Sequence, residues 1–193
     1  MSSIRLDAVL RRSDTDAVVS AVKELENQRR LSGQGITQSR DGIRQFQFAA
    51  DELNQWWVIV FDNGERQEYR DGKYTYRGRR PDESQPAEFF RPMPQALQLL
   101  WPTRLLTWAN PHGSFYPVLA QHVGERSILF TFEHVDDPAF RQTLVLDERS
   151  GIAKRLIGYD YGLVITGLET LEHWNPEDLP AFEPITGPIP TDY

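Results

Sequence analysis

The sequence contains no cysteine, which excludes disulfides, thiolate catalysis and cysteine-ligated metal. Histidine is scarce, and the four present (His112, His122, His134 and His173) are nowhere paired at the i, i+4 spacing of a helical zinc site. Long apolar runs are missing too. No stretch approaches the roughly 20 apolar residues that a membrane-crossing helix needs. The start, Met1–Arg12, carries Arg5, Arg11 and Arg12 but no apolar run of signal-peptide length. Such a start is expected of a cytoplasmic chain, or of a cell-envelope protein whose export signal has been removed. Positive charge is in deficit: 21 Lys and Arg against 28 Asp and Glu give a formal net charge of −7. An acidic surface repels phosphate backbones, so nucleic acid is not an expected partner. The one basic cluster, Arg77, Arg79 and Arg80, reads as a solvated loop.

The signatures of catalysis are absent as well. There is no nucleophile elbow, P-loop or dinucleotide fingerprint. Ser114 stands near His112, an adjacency common by chance, and Asp136-Asp137 runs into Pro138 and reads as a loop, not as a catalytic dyad. No catalytic residue, metal or cofactor is assigned, and the chain is not expected to be an enzyme.

What is present is the composition of a globular protein, 39% apolar and 25% charged in 193 residues. That length suits a single domain over 1–193, burying roughly 70% of the surface of the unfolded chain. A helix is predicted over 13–31: Ser13 can cap it, Val18, Val22 and Leu25 form one apolar stripe, and Gly33 can stop it. The period then changes to two. A first meander over 34–77 contains Phe46 and Phe48 alternating with glutamines, the continuous apolar run Trp56–Phe61, and the turn dipeptides Asp41-Gly42, Asn63-Gly64 and Asp71-Gly72. A Pro-rich loop and two short apolar helical pieces, broken at Pro102, fill 78–109. A second meander covers 115–173, with a bulge expected at Gly167, and a Pro-rich tail covers 175–193.

Both Trp56–Phe61 and Ile128–Phe132 carry apolar residues on both faces. An antiparallel sheet covered on one side normally leaves the other polar, so the second face needs a cover or a ligand. The expected class is therefore α+β, mainly antiparallel β: a strongly curved, incomplete β-barrel with an N-terminal helix and short lid helices.

Four segments carry a family resemblance. They are the helix Ser13–Leu31, the strand-turn-strand Glu65-Arg-Gln-Glu-Tyr-Arg-Asp-Gly-Lys-Tyr-Thr-Tyr76, the hairpin Thr143-Leu-Val-Leu-Asp-Glu-Arg-Ser-Gly-Ile152, and the ending Asn175-Pro-Glu-Asp-Leu-Pro-Ala-Phe182. The chain resembles the LolA-like lipoprotein carriers and their relatives, including the N-terminal half of RseB-type regulators. The resemblance implies an incomplete antiparallel barrel under a helical lid.

The aromatic content fits an apolar cavity between sheet and helices. From the sheet the candidates to line it are Trp56, Val58, Val60, Phe130 and Phe132. From the lid they are Leu97, Leu100, Trp101, Leu105 and Trp108. The functional expectation is a non-catalytic protein that holds a hydrophobic small molecule or lipid there. The alternative is a protein-interaction or regulatory domain of the same fold with a filled core.

Overall fold

The computed structural model describes residues 6–26, 30–78, 93–105, 108 and 115–171, with the backbone of 85–87. The Pro-rich tail, the resemblance segment 175–182, most of the 78–92 loop, and His112, His173, Ser114, Arg79 and Arg80 lie outside the described residues.

Helix α1 spans Thr15–Leu25, entered through a tight turn at Arg12–Asp14. The Asp14 carboxylate accepts the Arg11 backbone N–H at 2.8 Å, which fixes the turn that leads into the helix. Thr15, Val18, Ala21 and Val22 are buried, while Asp16, Lys23 and Glu24 face solvent. The helix is shorter than the 13–31 expectation. Glu26 is already extended, and Arg30 and Leu31 belong to the next strand, where Leu31 is 3% exposed. Gly33, expected as a helix stop, is a strand residue.

Strand β1 is short (Ala8–Val9). The first meander comprises β2 (Arg30–Ser39), β3 (Gly42–Asp51), β4 (Trp56–Phe61), β5 (Arg66–Arg70), β6 (Lys73–Arg77) and β7 (Gln85–Ala87). The second comprises β8 (Phe115–His122), β9 (Ser127–His134), β10 (Arg141–Asp147), β11 (Ala153–Ile157) and β12 (Gly162–Thr170). Each expected turn dipeptide falls at a hairpin, although in the first the loop residues are Arg40 and Asp41, with Gly42 already paired to Ser39; at Asp71-Gly72 both residues take positive φ, +52° and +76°, as a two-residue hairpin requires.

The twelve strands form one sheet in the order β1-β8-β9-β10-β11-β12-β2-β3-β4-β5-β6-β7, antiparallel throughout. The two meanders join where β12 pairs with β2, Leu163 opposite Thr37 and Thr170 opposite Leu31. The register slips between Ile165 and Gly167, which is the bulge expected at Gly167. The sheet is open: β1 and β7 end the order, unpaired with each other. One main helix, residues 93–105 and Trp108 pack on its inner face.

That face carries Phe46 and Phe48 of β3, Ile128, Phe130 and Phe132 of β9, and Leu144 and Leu146 of β10, all within one contiguous core with Val18 and Val22 of α1. The period of two selects them: in β9 the residues between, Leu129 and Thr131, are only half-buried.

The β10–β11 turn holds a local electrostatic clamp. Burial alone raises the Asp147 pKa. The Lys154 ammonium at 2.7 Å and the Ser150 N–H and O–H outweigh it and lower the pKa from 3.8 to about 2. A depressed folded-state pKa stabilises the fold above the unfolded value, and that contribution is lost as pH falls from about 4 through about 2. Asp147→Asn keeps the turn acceptor but loses the ion pair. It is expected to cost on the order of 1 kcal/mol at neutral pH after allowance for solvent screening. Urea midpoints of parent and variant should converge towards pH 2; a gap that persists unchanged refutes the assignment.

Candidate functional site

Residues 93–105 cross the inner face in two short pieces, helix α2 (Gln95–Gln98) and a 3-10 turn at Pro102–Arg104. Pro102 opens the second piece rather than merely breaking the first, since its fixed φ and missing N–H suit a first helical position. The apolar load expected of this segment is fully used: Leu97, Leu99, Leu100 and Leu105 are 0% exposed, and Trp101 and Trp108 are 2% exposed. The Trp108 ring stands edge-on to Phe130 and Phe132, at 5.5 and 4.9 Å between centroids, the favoured geometry for aromatic pairs.

Polar contacts fix the segment at three places. Glu26, just after α1, accepts the Thr103 N–H and hydroxyl, each at 2.8 Å. Glu52, in the β3–β4 turn, accepts Trp101 Nε1–H at 2.8 Å and Arg104 Nη2–H at 3.2 Å. The Leu99 carbonyl accepts the Ala153 N–H of β11 at 2.8 Å. The segment is therefore tied to the helix and to both meanders. Trp108 Nε1–H is satisfied within the segment by the Pro102 carbonyl at 2.6 Å.

Seven of the ten sequence-derived candidates meet in this core: Leu97, Leu100, Trp101, Leu105, Trp108, Phe130 and Phe132. The other three do not join them. Alternation along β4 sends Trp57, Ile59 and Phe61 inward, and places Trp56 and Val58, with half-buried Val60, in a separate small cluster with Ala49 and Leu171 on the outer face. Beside that cluster is an open depression of about 390 Å³, lined by Trp56, Arg30, Asp51, Asn54, Arg70 and Asp71 among others. Its charges are largely matched internally: Arg30 pairs with Asp51 at 2.8 Å and Arg70 with Asp71 at 3.7 Å.

The sequence reading missed a third feature. At the end of the inner face an aromatic ladder runs from Phe115 to His134 (5.1 Å), Phe140 (6.4 Å) and Tyr159 (5.6 Å). Phe140 is 45% and Tyr159 75% exposed. Just inside it, Gln142 is 8% exposed, and its Oε1 has no hydrogen-bond partner among the described residues. Tyr161 lies against Gln142 and Gln95, and burial raises its phenol pKa, with those two hydrogen bonds opposing. The ladder residues sit at four separate strand ends and turns, so no local pattern announces them.

What these residues can do chemically is bury apolar area and make directional hydrogen bonds. Among the described residues no three His, Asp or Glu side chains are grouped to hold a metal ion. None of the described helices is long and apolar enough to cross a membrane.

No family model matches the sequence, and no curated protein matches it. Solved structures do match in shape. MucB superposes with a TM-score of 0.55 at 15% identity, over 88% of this chain and 63% of that one. The Pseudomonas aeruginosa MucA/MucB complex gives 0.55 at 13% identity, over 88% and 61%. An uncharacterized conserved protein from Thermus thermophilus gives 0.53 at 7% identity, over 89% and 96%. The chain thus spans about three fifths of the length of the MucB chains it matches. At these identities the likeness is one of fold, the open antiparallel sheet of MucB, in line with the RseB-type resemblance of the sequence.

Proposed function

We propose that this chain is a non-catalytic binding domain that engages a protein partner, its interior filled by its own side chains. The observation that carries the reading is the complete burial of Leu97, Leu99, Leu100 and Leu105 beneath the sheet. An apolar ligand of the expected kind would have to displace them, giving up contacts worth about 1.5–3 kcal/mol for each large side chain. MucB, which shares the fold, has been crystallised in complex with MucA, so this architecture can receive a protein. In this reading the sheet is a strongly curved incomplete barrel and 93–108 is its lid.

A second reading is favoured by the way the lid is held. Its anchors to Glu26 and Glu52 are polar and sit at the margin, where water can replace them at modest cost. With the lid displaced, Leu97, Leu100, Trp101, Leu105, Trp108, Phe130 and Phe132 would line an apolar site for a hydrophobic small molecule or lipid. Organic extraction of the purified protein followed by mass spectrometry separates the two. The expected result is an extract without bound lipid and no binding of an apolar dye. Lipid recovered in stoichiometric amount would replace the first reading with the second.

A further inference from the structure

The inner face does not end at its sealed core. Beyond Phe132, buried under Trp108, the next positions on the same side of β9 and β10 are His134 and Phe140, which are partly open. There the aromatic ladder from Phe115 to Tyr159 forms a rim. An exposed phenylalanine and tyrosine in edge-to-face contact are large, rigid and apolar, the side chains that anchor protein interfaces.

The charge around the rim is asymmetric. Its cations are already engaged: Arg40 pairs with Asp160 at 3.5 Å and lies over the Tyr159 ring, and Arg141 pairs with Glu133 at 2.7 Å. Asp136 and Asp137, in the loop leading to Phe140, are exposed, and neither has a cationic partner among the described residues. Asp137 only accepts the Ala139 N–H within its own turn. The rim is thus an apolar platform beside two carboxylates that no cation among the described residues compensates, on a chain of net charge −7. Such a field attracts a basic partner and opposes an anionic bilayer. Gln142 supplies an independent observation: a nearly buried acceptor, Oε1, lacks a donor immediately inside the platform. Buried acceptors are rarely left so.

We propose that the Phe115–His134–Phe140–Tyr159 rim is the docking site for an extended segment of a partner protein. The segment inserts an apolar side chain against Phe140 and Tyr159, sets lysine or arginine against Asp136 and Asp137, and donates a hydrogen bond to Gln142. The proposal rests on the protein-interaction reading above and assigns that reading its surface.

The test titrates the intact chain with three short end-capped peptides: alternating lysine and leucine, alternating glutamate and leucine, and alternating lysine and serine. Fluorescence anisotropy reads affinity, and amide chemical-shift mapping reads location. The Lys/Leu peptide is expected to bind at the rim and the other two are not. Phe140→Ser, and separately Asp136→Asn with Asp137→Asn, each weaken binding by about tenfold or more, as expected for an interface anchor. Asp136 and Asp137 are exposed and Phe140 is 45% exposed, so each variant is expected to keep a cooperative melting transition, which serves as the folding control. Gln142→Leu removes the unpaired acceptor together with the hydrogen bond to Tyr161; the variant is expected to fold with a somewhat lower melting temperature and to bind more weakly. Unchanged affinity in any of the three variants overturns the proposal, as does equal binding of the Glu/Leu peptide. Shifts mapped to the depression at Trp56 and Arg70 would overturn this site while leaving the protein-interaction reading in place. Binding to phosphatidylglycerol vesicles that is lost in Phe140→Ser would assign the rim to a membrane instead.

Discussion

Replacing Leu100 by alanine is expected to lower the unfolding free energy by about 2–5 kcal/mol, without creating a site for an apolar dye. Leu100 has no exposed surface, so the substitution removes three buried side-chain carbons and leaves a void. How far the void collapses sets the cost, and here collapse is restrained. The neighbouring Leu99 carbonyl is bound to Ala153 N–H of β11, and Trp101 is bound to Glu52. The backbone around Leu100 is therefore held from both meanders, which places the effect in the upper part of the range. Val60→Ala in the half-buried outer cluster is a suitable comparison, expected to cost about 1 kcal/mol or less, because less area leaves water and the surface can relax. Urea unfolding of the three proteins measures the difference. If Leu100 instead lined a ligand space, its loss would cost little and dye binding would change. A small cost together with altered dye binding would therefore remove the filled-core reading.

The contrast between Leu100 and Val60 also shows what the sequence could and could not disclose. The burial of Leu97, Leu100, Trp101, Leu105 and Trp108 was legible because the apolar load there is too large for a solvent-facing connector, and that inference needs only composition. The face of β4 was not legible from β4 itself. Trp56–Phe61 is apolar at every position, so a period of two cannot say which half points inward. The deciding information lies in its partner. In β3, Phe46 and Phe48 alternate with Gln45 and Gln47, and pairing sets Ile59 opposite Phe48 and Phe61 opposite Phe46. Parity borrowed across the turn assigns Trp57, Ile59 and Phe61 to the core. The overlong helix has a related cause. Nothing after Leu25 breaks a helix until Gly33, and only the burial of Leu31 opposite Ala50, a tertiary contact, pulls 30 and 31 into the sheet. The join of β12 to β2 and the aromatic rim are assembled from distant turns and strand ends, and local pattern carries no signal for either.

Gly35→Ala is expected to destabilise the protein by about 1–3 kcal/mol or more, although alanine is better suited than glycine to a strand interior. The reason is space. Gly35 lies in β2 directly opposite Phe46, and the Phe46 ring folds over it. A Cβ built on Gly35 would stand 2.4 Å from Phe46 Cζ and 2.4 Å from the Val164 carbonyl oxygen. Neither neighbour can yield cheaply. Phe46 is 0% exposed and packed against Phe48 and Phe61, and Val164 O is backbone in β12, the strand that joins the two meanders. The methyl group would therefore push on the pairing that closes the sheet and on the core at once. Gly33 repeats the arrangement against Phe48 and the Gly167 carbonyl, so the Gly-Gln-Gly stretch is a seat for two aromatic rings rather than a flexible break. The explanation makes a sharper demand than destabilisation alone. Shortening the ring with Phe46→Leu should cost stability by itself, by leaving a void, yet should partly relieve Gly35→Ala. A double-mutant cycle by urea unfolding would then show the pair less destabilised than the sum of the singles, by about 0.5 kcal/mol or more. Strict additivity would mean that Phe46 is not what excludes a side chain at position 35, and would leave the Val164 carbonyl as the sole obstacle.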